Sequence, residues 1–191
     1  MLPPMHTYLE FEVSLLDIDP RIWRRFQLGA DDTFGDLHEA IQDSFDWDTD
    51  HMWIFRAAGR DRRTLAGPGA FDLGFESDEI PDAWEVKLTQ HFRRVSMTCR
   101  YTYDLGDNWV HAVKLRRRAT TAERYHRRLV AGSRAAPKED SGGIYGYWRL
   151  VEMIETGNDP WGLDPDEQPG WIDEWKPDQF DLAAAKATFD R

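Results

Sequence analysis

Apolar and polar side chains alternate in four stretches of this chain, which is the pattern of a β-strand with one buried face. The stretches are residues 7–16, 21–28, 95–104 and 109–117. A short turn-forming segment separates the first two, and Leu105-Gly106-Asp107-Asn108 separates the last two. Because Gly and Asn tolerate the positive φ of a tight turn, the pattern predicts two antiparallel hairpins.

Helical periodicity follows in two other places. Apolar residues recur at helical spacing in residues 33–45, where Thr33 and Asp36 form a capping-box pattern, and in residues 144–156. The order of elements predicts an α+β fold with a mainly antiparallel sheet, two packed helices and a short helical C-terminal segment. The other segments are predicted as follows: a third strand at 51–58, a surface excursion at 59–82, a weak strand at 84–88, a loop at 129–143, and short helices near 167–175 and 178–189, the last one capped by Asp178.

The composition indicates one folded domain. The chain has 191 residues, 41% of them hydrophobic, and nine tryptophans, so it can bury a sizeable core. We expect one domain over 1–191, with its core at about 7–157 and a helical segment at about 158–191. The single cysteine, Cys99, excludes an internal disulfide, and no stretch resembles a membrane span or a signal peptide. These features predict a cytoplasmic protein with no membrane contact.

Charge is distributed unevenly along the chain. The formal net charge is −11, which disfavours general binding to nucleic acid because phosphate attraction supplies most non-specific affinity. Residues 114–128 are the exception, since they are rich in arginine. Nucleic acid would therefore bind through Arg116, Arg117 and Arg118, whereas the structural alternative is a solvated strand end that pairs with the acidic C-terminal part of the chain.

The segment with the most concentrated chemistry is Tyr103-Asp104-Leu105-Gly106-Asp107-Asn108-Trp109-Val110-His111. It places carboxylates, an amide, large aromatic rings and a histidine around a predicted hairpin turn. A loop at 137–147 carries further acids and an aromatic residue, and convergent aromatic and polar groups are typical of ligand pockets. We expect the binding groove to lie between this hairpin and that loop. Its candidate residues are Asp104, Asp107, Trp109, His111, Glu139, Asp140, Tyr147 and His51.

Carboxylates with one imidazole would also suit a divalent metal ion such as Mg²⁺, Mn²⁺, Ca²⁺ or Zn²⁺. The candidate ligands are Asp104, Asp107 and His111, which Glu139 and Asp140 would join if the loop meets the hairpin. In the structural alternative the aspartates bind turn amides, Asp140 or Ser141 caps the following helix, and His111 is half-buried on its strand.

A general acid–base site is a third interpretation. His38, His51 and His111 each lie near a carboxylate in the sequence, and a His–Asp pair can transfer protons. No nucleophile completes such a site, because Cys99 falls on the apolar face of a strand and Ser141 lacks a nucleophile elbow.

Five sequence blocks stand out along the chain: Pro20-Arg21-Ile22-Trp23-Arg24-Arg25; Leu37-His38 with Ile41-Gln42; Phe45-Asp46-Trp47 with residues 50–55; residues 101–111; and residues 131–147. In this order they resemble the plasmid pRiA4b ORF-3-like family, over roughly residues 7–185. This resemblance implies an α+β fold of α/β-roll type and no assigned reaction, in a family found on plasmids, insertion elements and chromosomes. One departure concerns the glycine loop, where Ser141 stands in place of the family's usual cysteine.

The sequence therefore predicts a non-enzymatic binding or interaction module linked to plasmid or mobile-element genes, with an unknown protein or small molecule as partner. No cofactor is predicted apart from the divalent metal considered above. The alternative is a metal-dependent hydrolase or nuclease that uses Asp104, Asp107, His111, Glu139 and Asp140.

Overall fold

A computed structural model of the chain describes residues 3–60, 62–69, 80–157, 162, 172 and 174–191. These residues form seven strands and four helices. The strands are β1 (His6–Leu15), β2 (Trp23–Gly29), β3 (Trp53–Ala57), β4 (Thr64–Ala66), β5 (Thr98–Tyr103), β6 (Trp109–Thr121) and β7 (Arg127–Ser133). The helices are α1 (Phe34–Phe45), α2 (Leu88–His91), α3 (Gly143–Thr156) and α4 (Leu182–Phe189).

The strands form one antiparallel sheet in the order β4-β3-β5-β6-β1-β2-β7. Strand β1 lies near the centre and pairs on both sides, so Phe11 is opposite Phe26 on β2 and Leu115 on β6. Side chains alternate along β1 as the sequence predicts: Phe11 and Val13 are fully buried, whereas Glu12 accepts a hydrogen bond from Arg25 on the other face. One face of the sheet therefore carries the core and the other carries ion pairs.

Helix α1 is fixed at its start by a complete capping box. The Thr33 hydroxyl accepts a hydrogen bond from the Asp36 amide, and the Asp36 carboxylate accepts one from the Thr33 amide. The helix buries its apolar stripe against the core and ends at Asp46, which takes the left-handed conformation at φ 60°. On the same side, His38 Nδ1 lies 2.7 Å from the Tyr101 hydroxyl of β5, so the helix lies over the strands that form the central hairpin.

The predicted α+β fold, with its antiparallel sheet, packed helices and short C-terminal helix, is confirmed. Two local predictions are wrong. The weak strand at 84–88 is a turn leading into α2, because the Val86 carbonyl accepts the first amide of α1 instead of a sheet neighbour. The first five residues of the predicted loop at 129–143 belong to β7, which pairs with β2. Their sequence, Leu129-Val130-Ala131-Gly132-Ser133, lacks the alternation of a half-buried strand.

Smaller differences concern segments that the sequence pattern marked only weakly. Strand β4 lies inside the predicted excursion at 59–82 and pairs with β3. The last helix begins one turn later than predicted, because Asp181 rather than Asp178 accepts a hydrogen bond from the helix amide of Ala184. The helix predicted near 167–175 falls mainly outside the described residues. No described helix combines the length and the apolar character needed to cross a membrane.

Candidate functional site

The turn between β5 and β6 is held by its own aspartate. Asp104 and Asn108 take left-handed conformations, at φ 53° and φ 56°, and the Asn108 amide donates to the Asp104 carbonyl at 2.6 Å. The Asp104 carboxylate oxygen Oδ1 accepts the Gly106 amide at 2.8 Å. The other oxygen of Asp104 is therefore held in a fixed position at the hairpin tip.

The loop before α3 meets this tip, as the sequence predicts. The Gly142 amide donates to Asp107 Oδ2 at 3.1 Å. At Gly143, which has φ +67°, an added Cβ would lie only 2.6 Å from the Asp107 carbonyl oxygen. Two backbones approach each other here at a distance that only glycine allows. No side chain caps α3, whose N-cap is Gly142, so the interpretation that Asp140 or Ser141 caps this helix is wrong.

Glu139 ties three segments together below the groove. Its carboxylate accepts a short hydrogen bond from the Tyr103 hydroxyl and another from the Asp48 amide, at 2.6 Å. Burial raises the pKa of the Tyr103 phenol, and the hydrogen bond to Glu139 adds to that effect. Glu139 is thus engaged in positioning the loop against the hairpin and the segment that follows α1.

His51 brings two carboxylates together at the mouth of the groove. Its Nε2 lies 3.2 Å from Asp140 Oδ1, and its Nδ1 lies 4.0 Å from Asp104 Oδ2. One ligand atom from each of the three residues lies within 4.8 Å of the others. The side chain of Asp140 is 78% exposed and that of His51 is 31% exposed, so the cluster is open to solvent. An imidazole and two carboxylates at these separations would hold a divalent cation.

His111 is not part of this cluster. The ring is fully buried and meets Phe45 edge-on, with centroids 5.0 Å apart, and it also contacts Trp47 and Tyr101. Neither ring nitrogen forms a hydrogen bond of normal geometry. Burial lowers the pKa of His111 to about 3, although nearby backbone carbonyls oppose this shift. His111 is therefore a neutral core residue, as its place on the apolar side of the alternating strand could have indicated.

The two aromatic candidates also lie in the core. Trp109 and Tyr147 are fully buried, and among the described residues neither Trp109 Nε1 nor the Tyr147 hydroxyl has a hydrogen-bond partner. Tyr147 meets Trp175 edge-on, with ring centroids 5.8 Å apart. The structure thus brings His51, Asp104 and Asp140 together at the surface, places Asp107 and Glu139 in supporting contacts, and keeps both aromatic rings beneath.

The three arginines considered for nucleic-acid binding have partners within the protein. Arg117 forms an ion pair with the buried Glu10 at 2.8 Å, and Arg116 lies 3.9 Å from a carboxylate oxygen of Glu12. Arg118 donates to the Phe92 carbonyl at 2.8 Å. The three arginines are thus engaged within the protein, but these partners lie on β1 and at Phe92 and not in the acidic C-terminal part that the structural alternative predicts. Their engagement weakens the case for a phosphate-binding surface.

Comparison with known proteins gives a consistent result. Residues 7–184 match the model of a family described as plasmid pRiA4b ORF-3-like protein. The chain is 28% identical over 147 residues to the uncharacterized protein y4hQ of Sinorhizobium fredii, an alignment that covers 76% of this chain and 72% of that protein. It is also similar to the crystal structure of a protein of unknown function, MM3350 from Methanosarcina mazei Go1. That similarity has a TM-score of 0.75 and 29% identity, and it covers 94% of this chain and 97% of the other. The chain belongs to the plasmid pRiA4b ORF-3-like family.

Proposed function

We propose that this protein is a non-enzymatic binding module of the cytoplasm, and that its groove between the β5–β6 turn and the 137–147 loop binds a divalent cation. The observation that carries this proposal is the convergence of His51, Asp104 and Asp140 from three separate segments. The free, buried Cys99 fits a reducing compartment. The word plasmid in the family's name supports a link to plasmid or mobile-element genes.

Preorganisation supports a cation site here. The Gly106 amide holds Asp104, and Asp140 takes a left-handed conformation at φ 56°, two residues before the first glycine of the Gly142-Gly143 pair. Hydrogen bonds to Glu139 and Asp107 hold the loop against the hairpin, so less ordering entropy is lost when the ion binds. The exposed Asp140 leaves coordination positions for water or for an oxygen-rich ligand, which would then bind through the metal.

Metal-dependent hydrolysis is the second candidate, because the same open coordination positions would accept an activated water. The chain's own nucleophiles do not favour covalent catalysis. Cys99 is buried, and burial raises the pKa of its thiol. The Ser141 hydroxyl is buried and has no hydrogen-bond partner to act as its base. Binding therefore explains the site with fewer requirements than catalysis.

Thermal unfolding with Mg²⁺, Ca²⁺, Mn²⁺ or Zn²⁺ tests this proposal. A cation at about 100 times its Kd should add about 2.7 kcal/mol to the free energy of unfolding and raise Tm. The rise should disappear in His51→Ala and Asp104→Asn and persist in His126→Ala, which removes an exposed histidine elsewhere. No rise with any of the four ions would refute the cation site.

Activity of the metal-loaded protein separates the two candidates. The binding proposal expects no turnover of bis(p-nitrophenyl) phosphate or of single-stranded DNA with any ion that raises Tm. Turnover that is lost in His51→Ala, while the fold remains intact, would replace the binding proposal by the hydrolase.

A further inference from the structure

A second cleft opens along the flank of α1 that carries His38, Glu39, Gln42 and Asp43. Its volume is about 440 Å³, which falls in the range of small-molecule sites. Two indole rings, Trp53 and Trp84, form walls, and His38 and Gln42 contribute buried polar groups. The carboxylate of Glu39 lies at the rim. None of these residues belongs to the groove proposed as the cation site.

Trp84 is an exposed aromatic residue that is nevertheless held in place. It is 47% exposed, yet its ring packs so closely on α1 that a Cβ added at Gly35 would lie 2.2 Å from Cε3 of the indole. The Trp84 amide also donates to the Asp82 carboxylate at 2.9 Å. A fixed, exposed indole offers apolar contact area at little entropic cost, which is the property of an aromatic binding wall.

The hydrogen bonds of His38 define which nitrogen faces the cleft. The Tyr101 hydroxyl accepts a hydrogen bond from Gln42 Nε2 at 2.8 Å and lies 2.7 Å from His38 Nδ1. With the Gln42 amide in this orientation, the hydroxyl hydrogen is available to His38 Nδ1, and the neutral imidazole then carries its own hydrogen on Nε2. Nε2 has no partner in the described part of the chain, although His38 is only 4% exposed. The cleft therefore offers one unused N–H donor.

The charge around this donor selects against anions. Burial lowers the pKa of His38 to about 3, so the donor is uncharged at neutral pH. At the rim, Glu39 is exposed, while Asp43 is paired with Arg127 and with Arg191. A neutral donor below a carboxylate favours an uncharged acceptor over a carboxylate or a phosphate.

We propose that this cleft is a binding site for a neutral planar ring compound, whose carbonyl or ring nitrogen accepts the Nε2–H of His38 while its ring packs on Trp53 and Trp84. His38 stacks on Trp53, with ring centroids 3.8 Å apart and ring planes 11° apart. This stacking holds the imidazole, and with it the Nε2–H donor, in a fixed orientation next to the indole ring. The two indole rings then select the planar shape of the compound, and the single hydrogen bond selects its acceptor atom.

Saturation-transfer NMR with nicotinamide, benzamide and adenine tests this site, with nicotinate as the anionic match of nicotinamide. We expect saturable transfer to at least one neutral probe and at least about tenfold weaker binding of nicotinate. Trp84→Ala should raise the Kd of the neutral probe by at least about tenfold. Trp148→Ala, which removes a similarly exposed tryptophan on α3, should change that Kd by less than about twofold.

Gly35→Ala is a second variant that keeps both rings. Its added methyl group must displace the Trp84 ring, so binding should fall as in Trp84→Ala while thermal unfolding stays cooperative. Absence of saturable binding by all three neutral probes would overturn the proposal. Equal binding of nicotinate and nicotinamide, or equal losses in Trp84→Ala and Trp148→Ala, would overturn it as well.

Discussion

The tip and the stem of the β5–β6 hairpin belong to one short segment but treat their polar groups in opposite ways. At the tip, the carboxylates of Asp104 and Asp107 each accept a backbone amide, from Gly106 and Gly142. In the stem, Trp109 Nε1 and both ring nitrogens of His111 are buried without hydrogen bonds. The tip therefore satisfies its carboxylates with backbone amides, whereas the described part of the chain offers no hydrogen-bond partner to these three ring nitrogens of the stem.

This contrast separates residues that serve recognition from residues that serve stability. Strand alternation places Trp109 and His111 in the core, whereas the turn holds the largely buried Asp104 carboxylate beside the more exposed His51. Chemical identity alone makes His111 look like a ligand, yet its buried position makes it part of the core. Substitutions in the stem should consequently change stability far more than substitutions in the tip.

The largest expected effect is in the stem. Trp109→Ala removes a fully buried indole and leaves a cavity, which should lower the free energy of unfolding by about 3–5 kcal/mol. Leu105→Ala at the tip removes a 57% exposed side chain and should change it by about 0.5 kcal/mol or less. Chemical denaturation measures both values, and similar losses in the two variants would contradict the contrast.

The next effect is the pH dependence that the buried histidines impose. The pKa of His111 is about 3 in the folded protein and about 6.5 in the unfolded chain, so the unfolded state binds more protons between these values. The free energy of unfolding should therefore fall as pH drops below about 6.5, by up to about 1.4 kcal/mol per pH unit for His111. His38, with a pKa of about 3, should act in the same direction.

His111→Leu sharpens this prediction. It removes one of the two buried titrations and two unsatisfied ring nitrogens, so the slope should decrease and the variant should gain stability relative to the original protein at about pH 5. Denaturant titrations from about pH 4.5 to about pH 7.5 compare this variant with the original protein, and an unchanged slope in His111→Leu would exclude His111 as its source.

A smaller effect is expected where the tip meets the loop. Gly143→Ala forces an alanine into φ +67° and places its Cβ 2.6 Å from the Asp107 carbonyl oxygen, which should cost about 1–3 kcal/mol. Gly157→Ala is the matched control, because Gly157 also has a positive φ but nothing lies within 4 Å of an added Cβ. Its loss should be about 1 kcal/mol. Equal losses of free energy of unfolding in the two variants would mean that the Asp107 carbonyl does not limit the space at residue 143.

The smallest effect concerns the hydrogen bond across that contact. Asp107→Ala removes the acceptor of the Gly142 amide at a partly exposed position and should cost about 0.5–1 kcal/mol. Asp107→Asn keeps an oxygen acceptor, so its free energy of unfolding should fall by less than that of Asp107→Ala. Thermal unfolding distinguishes the two variants, and a larger loss in Asp107→Asn would show that the contact depends on charge rather than on the hydrogen bond.

Local pattern was sufficient for the elements that have strong periodicity. Alternation in residues 7–16 and 109–117 predicted strands that pair along most of their length, and Thr33 with Asp36 predicted the start of α1. The sequence pattern gave the wrong prediction where contact with another element of the fold decides the local structure. Strand β7 lacks apolar–polar alternation and contains Gly132, so its sequence resembles a loop although β2 supplies its hydrogen bonds. The apolar Trp84 and Val86 suggest a strand, but they pack against α1 and lead into α2.

The sequence by itself determined the α+β class and the hairpin with its polar turn, because these depend on periodicity and turn chemistry within short windows. Only the tertiary structure decided which histidine joins the carboxylates. His51 and His111 lie beside similar residues along the chain, and the difference between them is burial. Burial depends on how β3, β5, β6 and α1 pack together, and no short window of sequence contains that information.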